Sequence, residues 1–503
     1  MEKKSLKLLP WTNKDIIGVT ATYIANVILL ALFYIVIIRI NMGAEGFTEY
    51  FASPGTFANF MMLLVLFVVV TFIYFYFEER NFLKNAANSE MLFLILELSI
   101  VVCYVVGGYV NIFLRPLSLA AMLVLFLTKT RTAVFLNFIF CIIMFLFDSF
   151  SGVTIGISEY SSVLFFAMGI SSGTIAIYLL KDVYSRIKLL LLSFTVSLPA
   201  AVCVVLPIVD VGAEGNLWLS LLCSALSGPL AAVLFFAILP FFESLFRKAS
   251  FFKYAELTDH KSKFIRKLIA QAPGTFNHAI VVSNIAEACA TAIEEDALLA
   301  RTCAYYHDIG KLRRPEFFKE NQADGTNPHD DLTPELSANI IKAHTTDGYQ
   351  LVVKNRLPQI IADVCAQHHG TLPILYFYGK AQKFTEGEVP ISQYCYPGPK
   401  PQTKIAAIIM IADGCEAAAR ALKDRSRENV YKVVKKIVGD RMAWGQFEEC
   451  EITLKELSII INTVVNSLTG VYHSRIEYPK ISFEGMEGDE GAPAGKDEQK
   501  DRE

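Results

Sequence analysis

Between residues 16 and 241 the chain carries a series of apolar runs, most of which approach the roughly 20 residues a helix needs to cross a membrane. No other feature restricts the fold as strongly, because in lipid every backbone polar group must be satisfied internally. The runs cover 16–38, 58–77, 91–114, 117–128, 132–147, 160–180, 189–209 and 217–241. The fourth is short and reads as a half-span unless Pro116 and the residues before it extend it. The first is longer than a signal-peptide core and lacks a clear small-residue cleavage site, so it is read as retained. About eight crossings are expected, one followed by seven.

Loop charges orient these crossings. Short segments rich in Lys and Arg stay in the cytoplasm. By that rule segments 1–15, 78–90, 129–131 and 181–188 are inside, and Arg247, Lys248 and Lys253 follow the last run. The alternate loops, 41–57, 115–116, 148–159 and 210–216, carry acidic residues, and Arg115 is their only cation. The agreement supports eight crossings in a cell membrane, with the lipid bilayer as partner and the second half of the chain in the cytoplasm. Glu97 lies inside the third run, where a carboxylate is costly. It is read as reaching the interface or pairing with a neighbouring helix.

Composition narrows the function. Hydrophobic residues make up 53% and charged residues 19%, and the net charge is -3. No global basic field marks the chain as a partner of a DNA or RNA polymer. The ten cysteines are scattered without a C-x-x-C pair and read as reduced and structural.

Beyond residue 243 the composition becomes mixed. Residues 251–270 read as one amphipathic linker helix. Segments 277–294, 296–306, 334–355, 357–367, 404–422 and 427–438 also read as helices, and no segment alternates with period two, so this half is expected to be all-α. All eight histidines lie in it. His278, His307, His344, His368 and His369 each fall in or at the end of a predicted helix, and Asp308 and Asp413 accompany them. Five imidazoles and two carboxylates are enough for two metal ions, with Asp308 the natural bridge. This donor mixture suits Fe, Mn, Zn, Co or Ni. His260, His329 and His473 lack such company and are given surface or core roles. Gly310 permits a tight turn after the ligands, Lys311 can neutralise a phosphate oxygen, and Arg313 and Arg314 can add to the field. Two ions can activate water and stabilise a leaving oxygen. No G-x-x-x-x-G-K-[ST] loop is present. The soluble half therefore reads as a metal-dependent phosphohydrolase.

Several stretches carry a family resemblance: Ala272-Pro273-Gly274-Thr275-Phe276-Asn277-His278, Ala304-Tyr305-Tyr306-His307-Asp308-Ile309-Gly310-Lys311, Gln367-His368-His369-Gly370-Thr371, Tyr396-Pro397-Gly398-Pro399 and Ala412-Asp413. The chain resembles the HD-domain phosphohydrolases, and more closely the membrane-anchored seven-transmembrane HD family of cyclic di-AMP phosphodiesterases (PgpH-type). The resemblance implies hydrolysis of cyclic di-AMP to linear pApA at two divalent transition metal ions, Mn or Fe. Carried over by position, the metal ligands are His278, His307, Asp308, His344, His368, His369 and Asp413. Asp308 and Lys311 are the catalytic candidates, and Lys311 and Arg314 the candidates for substrate contact. After Asp347-Gly348-Tyr349 comes Gln350 rather than proline, which disfavours the cyclic di-GMP relatives. The family usually has a large extracellular domain after the first span, whereas here that interval is only 41–57.

The expected organisation is an all-α chain: a cytoplasmic N-terminus (1–15), a transmembrane domain (16–242), a linker helix (243–270), a cytoplasmic HD phosphohydrolase domain (271–480) and a disordered tail (481–503). A homodimer joined through the spans or the linker helix fits such a chain, but no residue pattern specifies it. Two alternatives are a receptor or scaffold that binds nucleotide without turnover, and a phosphohydrolase of another cyclic dinucleotide or (p)ppGpp.

Overall fold

The structure, a computed structural model, describes residues 11–52, 54–150, 159–205, 216–322, 327–384 and 387–471. Lys3, Lys4 and Lys7, the loop stretches 151–158 and 206–215, His473 and the tail 481–503 lie outside them. Among the described residues the fold is all-α, with one isolated bridge between Pro373 and Cys395 and no strand.

In the first half, seven stretches are long and apolar enough to cross a membrane. They are α1 (Asn13–Ala52), α2 (Gly55–Glu78), α4 (Ala86–Tyr109), α6 (Thr130–Phe150), α7 (Glu159–Leu180), α8 with α9 (Arg186–Val196, Leu198–Val205) and α10 (Leu217–Phe246). Two shorter helices, α3 (Arg80–Leu83) and α5 (Leu119–Leu127), complete this half. Along α1, Ile17, Ile24, Ile28, Leu32 and Val36 face outward while Val19, Tyr23, Leu30, Tyr34 and Ile37 are buried. Such an apolar outer surface is a liability in water and suits lipid. The protein is a multi-pass membrane protein.

Polar contacts fix which helix ends lie together. Lys84 pairs with Asp15 at 3.8 Å, Lys129 with Glu79 at 2.9 Å and Arg131 with Glu78 at 2.7 Å. The starts of α1, α4 and α6 and the end of α2 therefore share one end of the bundle. At the other end, Tyr50 donates to the Phe150 carbonyl at 3.4 Å and Arg115 pairs with Asp148 at 2.7 Å. The chain thus crosses on α4 and has returned by Lys129. That return is made by residues 110–118 and the nine residues of α5, about 13.5 Å of helix. Eight of the nine α5 residues are buried. Non-helical backbone at membrane depth is tolerated where protein encloses it. The segment read as an eighth crossing thus brings the chain back towards the Lys129 end, with a helix shorter than half of a membrane's thickness.

Three expectations are corrected here. Residues 41–57 are not an open loop: α1 continues to Ala52 past a kink at Gly43 (φ 68°). Glu97 does not show the pairing expected of it: it is buried, and among the described residues its Oε1 accepts no hydrogen bond. The linker is two helices, α11 (Phe251–Thr258) and α12 (Lys263–Gln271), not one. The break follows from Asp259, whose side chain accepts from the Lys261 amide at 2.8 Å in place of helical bonding. Tyr306 pins the break by donating to the Leu257 carbonyl at 2.9 Å.

The second half continues with α13 (Pro273–Ala292), α14 (Ala297–Tyr306), α15 (Pro334–Lys354), α16 (Gln359–Gln367), α17 (Leu375–Phe384), α18 (Lys404–Ala421), α19 (Arg427–Ala443) and α20 (Leu454–Val471). Asp296 and Thr333 cap α14 and α15, accepting from the amides of Leu299 (2.9 Å) and Leu336 (3.3 Å). Every residue from Ile405 to Ala412 is buried, which makes α18 the central helix. The helices α17 and α20 were not read from the sequence. Leu457, Ile460, Val464 and Leu468 of α20 nonetheless have helical spacing and close the core. The cysteines are all free, and eight of the ten are buried.

Candidate metal centre

Five helices and one turn deliver seven side chains to a common point. His278 comes from α13. His307 caps the C-terminus of α14, and Asp308 opens the following 3-10 turn, Ile309–Arg313. His344 lies in the middle of α15, His368 and His369 follow α16, and Asp413 projects from α18. Gly310 is required for a reason other than the turn itself. A Cβ there would lie 1.9 Å from the His344 carbonyl oxygen, so only glycine lets this turn pack against α15.

The seven residues form two ligand groups. One is His278, His307 and Asp413; the other is His344, His368 and His369. Asp308 lies between them. Its Oδ2 is 3.2 Å from His307 Nε2 and 3.8 Å from His278 Nε2. Its Oδ1 is 3.3 Å from His344 Nε2 and 3.7 Å from His368 Nε2. Each carboxylate oxygen thus faces a different group.

Backbone acceptors set the tautomers. His307 Nδ1 donates to Ala304 O at 2.7 Å, His344 Nδ1 to Ile341 O at 2.6 Å and His368 Nδ1 to Cys365 O at 2.9 Å. A carbonyl only accepts, so each Nδ1 carries the proton and each Nε2 presents a lone pair. His278 is held likewise, its Nδ1 2.6 Å from the carboxylate of buried Glu416. The consequence is a set of mutually repelling acceptors. His344 Nε2 and His368 Nε2 lie 3.2 Å apart as facing acceptors, whereas His278 Nε2 lies 3.0 Å from Asp413 Oδ1 and bonds to it when the ring is protonated. The buried atoms His307 Nε2 and Asp308 Oδ1 have no hydrogen-bond partner. Converging lone pairs without protons are what a bound cation requires, and the second partner on each Nδ1 matches metal-ligating histidines. The residues fit two divalent metal ions.

Electrostatics divides the two groups. Burial pushes His344 down to about 3, so it is neutral at ordinary pH. Burial also acts to lower His278, but hydrogen bonds to Asp413 and Glu416 outweigh it and raise that imidazole to about 9. Burial works to raise Asp308, yet the Lys311 ammonium and His307 hold it well below the carboxylate range.

Lys311 is more committed than the sequence suggests. Its Nζ lies 2.7 Å from Asp308 Oδ2 and 2.7 Å from Glu320 Oε1. An ammonium has three donors, so one is left for a ligand. A cavity of about 500 Å³ opens beside the centre, walled in part by His278, Lys311, Lys319, Glu320, Asp413 and Arg420. Arg314 is not in that wall. It is exposed, and its amide donates to the Lys311 carbonyl at 3.2 Å as it closes the 3-10 turn. His329 is buried and bonded to Phe317 O at 3.0 Å, in keeping with a core role. Sequence reasoning missed Glu416, although three residues after Asp413 on a helix is the same face. It also missed Glu320 and Tyr396, whose ring stacks on His369 at 4.3 Å.

Comparison with known proteins agrees with this geometry. Residues 55–250 match the family described as 7TM receptor with intracellular HD hydrolase, and residues 275–418 match the HD domain. The chain belongs to the seven-transmembrane HD family. It is 35% identical over 433 residues to Cyclic-di-AMP phosphodiesterase PgpH of Bacillus subtilis (strain 168), covering 84% of this chain and 60% of that protein. It is 38% identical over 374 residues to the PgpH of Listeria monocytogenes serotype 1/2a (strain 10403S), covering 73% and 50%. The crystal structure of the L. monocytogenes PgpH HD domain is 46% identical, covering 42% of this chain and 100% of that one, with a TM-score of 0.41. The chain thus spans between half and three-fifths of the length of these two relatives.

Proposed function

We propose that this protein is a membrane-anchored phosphodiesterase that hydrolyses cyclic di-AMP to linear pApA in the cytoplasm. The observation that carries the reading is Asp308, whose two oxygens face two groups of candidate ligand atoms and which itself joins His307 of one to His368 of the other. His278, His307 and Asp413 would hold one ion, His344, His368 and His369 the other, and Asp308 both. Mn or Fe fits these imidazole and carboxylate donors. The ions supply Lewis-acid activation of water and of the phosphoryl oxygens.

The remaining work falls to the chain. Glu416 keeps the proton on His278 Nδ1 and so keeps Nε2 directed at the centre. Lys311 balances the charge of Asp308 and has one donor left for a phosphate oxygen. Lys319 and Arg420 add positive charge to the cavity wall, which favours a ligand with two phosphates. Water adds across one phosphodiester, the 3′-oxygen leaves, and one P–O bond is exchanged for another. The names of the two relatives support the choice of cyclic di-AMP. A cytoplasmic site is supported by the helix ends: the start of α1, the Lys- and Arg-bearing loops and the HD half lie at the same end of the bundle.

The test is turnover by the full chain in detergent with Mn or Fe, offered cyclic di-AMP, cyclic di-GMP and ppGpp in parallel. Formation of pApA from cyclic di-AMP is expected. Cleavage of cyclic di-GMP alone would reject the substrate, and no turnover of any of the three with metal bound would favour a nucleotide receptor.

A further inference from the structure

A second cavity, of about 440 Å³, lies where the last span meets the HD half, and none of the seven ligands lines it. One wall is apolar and belongs to the end of the span, with Phe236, Leu239 and Pro240. The opposite wall is the turn Asn355–Pro358, which joins α15 to α16. The rim carries four cations, Arg186, Lys248, Lys253 and Arg356, against two carboxylates, Glu243 and Glu256.

Both carboxylates are already engaged. Glu243 is buried and accepts from the Ser250 amide at 2.9 Å, which fixes the elbow between α10 and α11. Glu256 takes Arg186 at 3.0 Å and Lys253 at 3.4 Å. Lys248 and Arg356 have no ion-pair partner among the described residues. Lys248 is half-buried, its Nζ 5.4 Å from the centre of the Phe82 ring, and burial lowers its pKa with no carboxylate acting against that. A partly desolvated ammonium without a counter-charge is an unfavourable arrangement, and an anion in the cavity relieves it.

The place of the cavity says which anion. It sits at the end of the spans that bears the other basic loops, at the height of lipid headgroups, and one wall is lipid-like. We infer that this junction is a binding site for the phosphate headgroup of an anionic membrane phospholipid, held by Lys248 and Arg356 with its glycerol end against Phe236 and Leu239. The ligand would touch both halves of the molecule. The turn it meets joins α15, which carries His344, to α16, which ends at His368 and His369. The nine residues of α16 reach from this cavity to the metal centre. The Gln359 amide also faces the Arg247 carbonyl at 3.5 Å, tying the same turn to the elbow. The inference rests on the membrane embedding and not on the substrate, so either can fail without the other.

The test uses the full chain in lipid nanodiscs of phosphatidylcholine alone or with phosphatidylglycerol, and reads lipid retention by native mass spectrometry and amide hydrogen exchange at 355–367. Phosphatidylglycerol should be retained and should slow exchange in the turn and α16. Retention should weaken about fivefold for each cation lost in Lys248→Gln/Arg356→Gln. Lys248→Arg/Arg356→Lys, which keeps both charges, should retain the lipid and guards against misfolding. Lys181→Gln/Lys188→Gln removes the same charge from the basic collar outside the cavity and should have no effect. The inference is overturned if the first variant retains lipid like the parent, if the charge-keeping variant loses it, or if the collar variant loses as much. It is also overturned if inorganic phosphate in phosphatidylcholine discs protects 355–367 equally, which would mark a site for free anions.

Discussion

The two halves of the protein bury charge in opposite ways. In the membrane half, Arg115 and Asp148 are both buried and meet at 2.7 Å, so each cancels the other. In the HD half, Asp308, Asp413 and five imidazoles converge, His344 Nε2 faces His368 Nε2 as lone pair to lone pair, and His307 Nε2 and Asp308 Oδ1 have no partner. The first arrangement cancels its charge as it stands, although Arg115 Nε is left without a hydrogen-bond partner. The second is complete only with cations. The contrast is one of charge: the pair in the membrane half neutralises itself, and the cluster in the HD half leaves its demand for a cation open. The membrane half has an exception in Glu97, buried with an unpartnered oxygen.

The contrast can be attacked at its strongest point first. Asp308→Ala removes the residue shared by both ligand groups. Metal content by elemental analysis should fall at both sites, and turnover of cyclic di-AMP should drop about a thousandfold or more, since several kcal/mol of transition-state stabilisation depend on the ions. Retention of two metals by this variant would end the bridging role. Next in size is the self-satisfied pair. Arg115→Leu alone strands Asp148 and should cost about 3–5 kcal/mol, whereas adding Asp148→Leu should recover most of it. Thermal unfolding of the three proteins in detergent decides this, and equal loss in the single and double variants would mean the pair is not the self-contained unit described.

A pH series on chelated protein examines the open cluster itself. His278 is raised to about 9 from an ordinary value near 6.5. A raised pKa means the protonated form is favoured by folding, so its contribution is fully present below about 6.5 and is lost as pH rises through 9. Asp308 and Asp413 are held below their ordinary 3.8, so theirs is present above that value and lost in stronger acid. The melting temperature of metal-free protein should therefore fall between pH 6.5 and 9, and added Mn should abolish the fall, because the metal needs the deprotonated ring. A fall of the same size with metal present would contradict the assignment. Smaller again is Glu416→Gln, expected to weaken one of the two metals by about 10- to 100-fold while sparing the other. Equal weakening of both would show Glu416 acting on the fold and not on His278. The smallest effect is expected from Glu97→Leu, which should stabilise by about 1 kcal/mol by removing an orphaned polar atom. Loss of turnover in that variant would instead mean the carboxylate works.

What the sequence made legible follows the same division. The spans could be read because twenty-residue apolar runs have few alternative folds. The ligands could be read because histidine was absent before residue 260 and then fell in or at the ends of predicted helices, which can converge on one point. Glu416 was one helical turn from Asp413 and could have been read. Glu320 could not, because it reaches Lys311 through a succession of short 3-10 turns with no periodicity to follow. The break at Asp259 was hidden by apolar spacing that continues in phase across it, and it depends on Tyr306, 47 positions away. The eighth pass was ambiguous because enclosure by other helices, which excuses its short helix, is a property of the assembled bundle.

The contact at Gly310 has a consequence for the metals. The turn bearing Asp308 and the helix bearing His344 meet backbone to backbone, with no side chain between them to act as a spacer. The spacing of the two backbones that carry the shared ligand and the second group is consequently set by main-chain contact, with no side chain at position 310 to widen it. A centre gauged in this way would accept ions of one size and reject those that need a wider berth, making a single hydrogen atom in the place of a side chain the calibrating part.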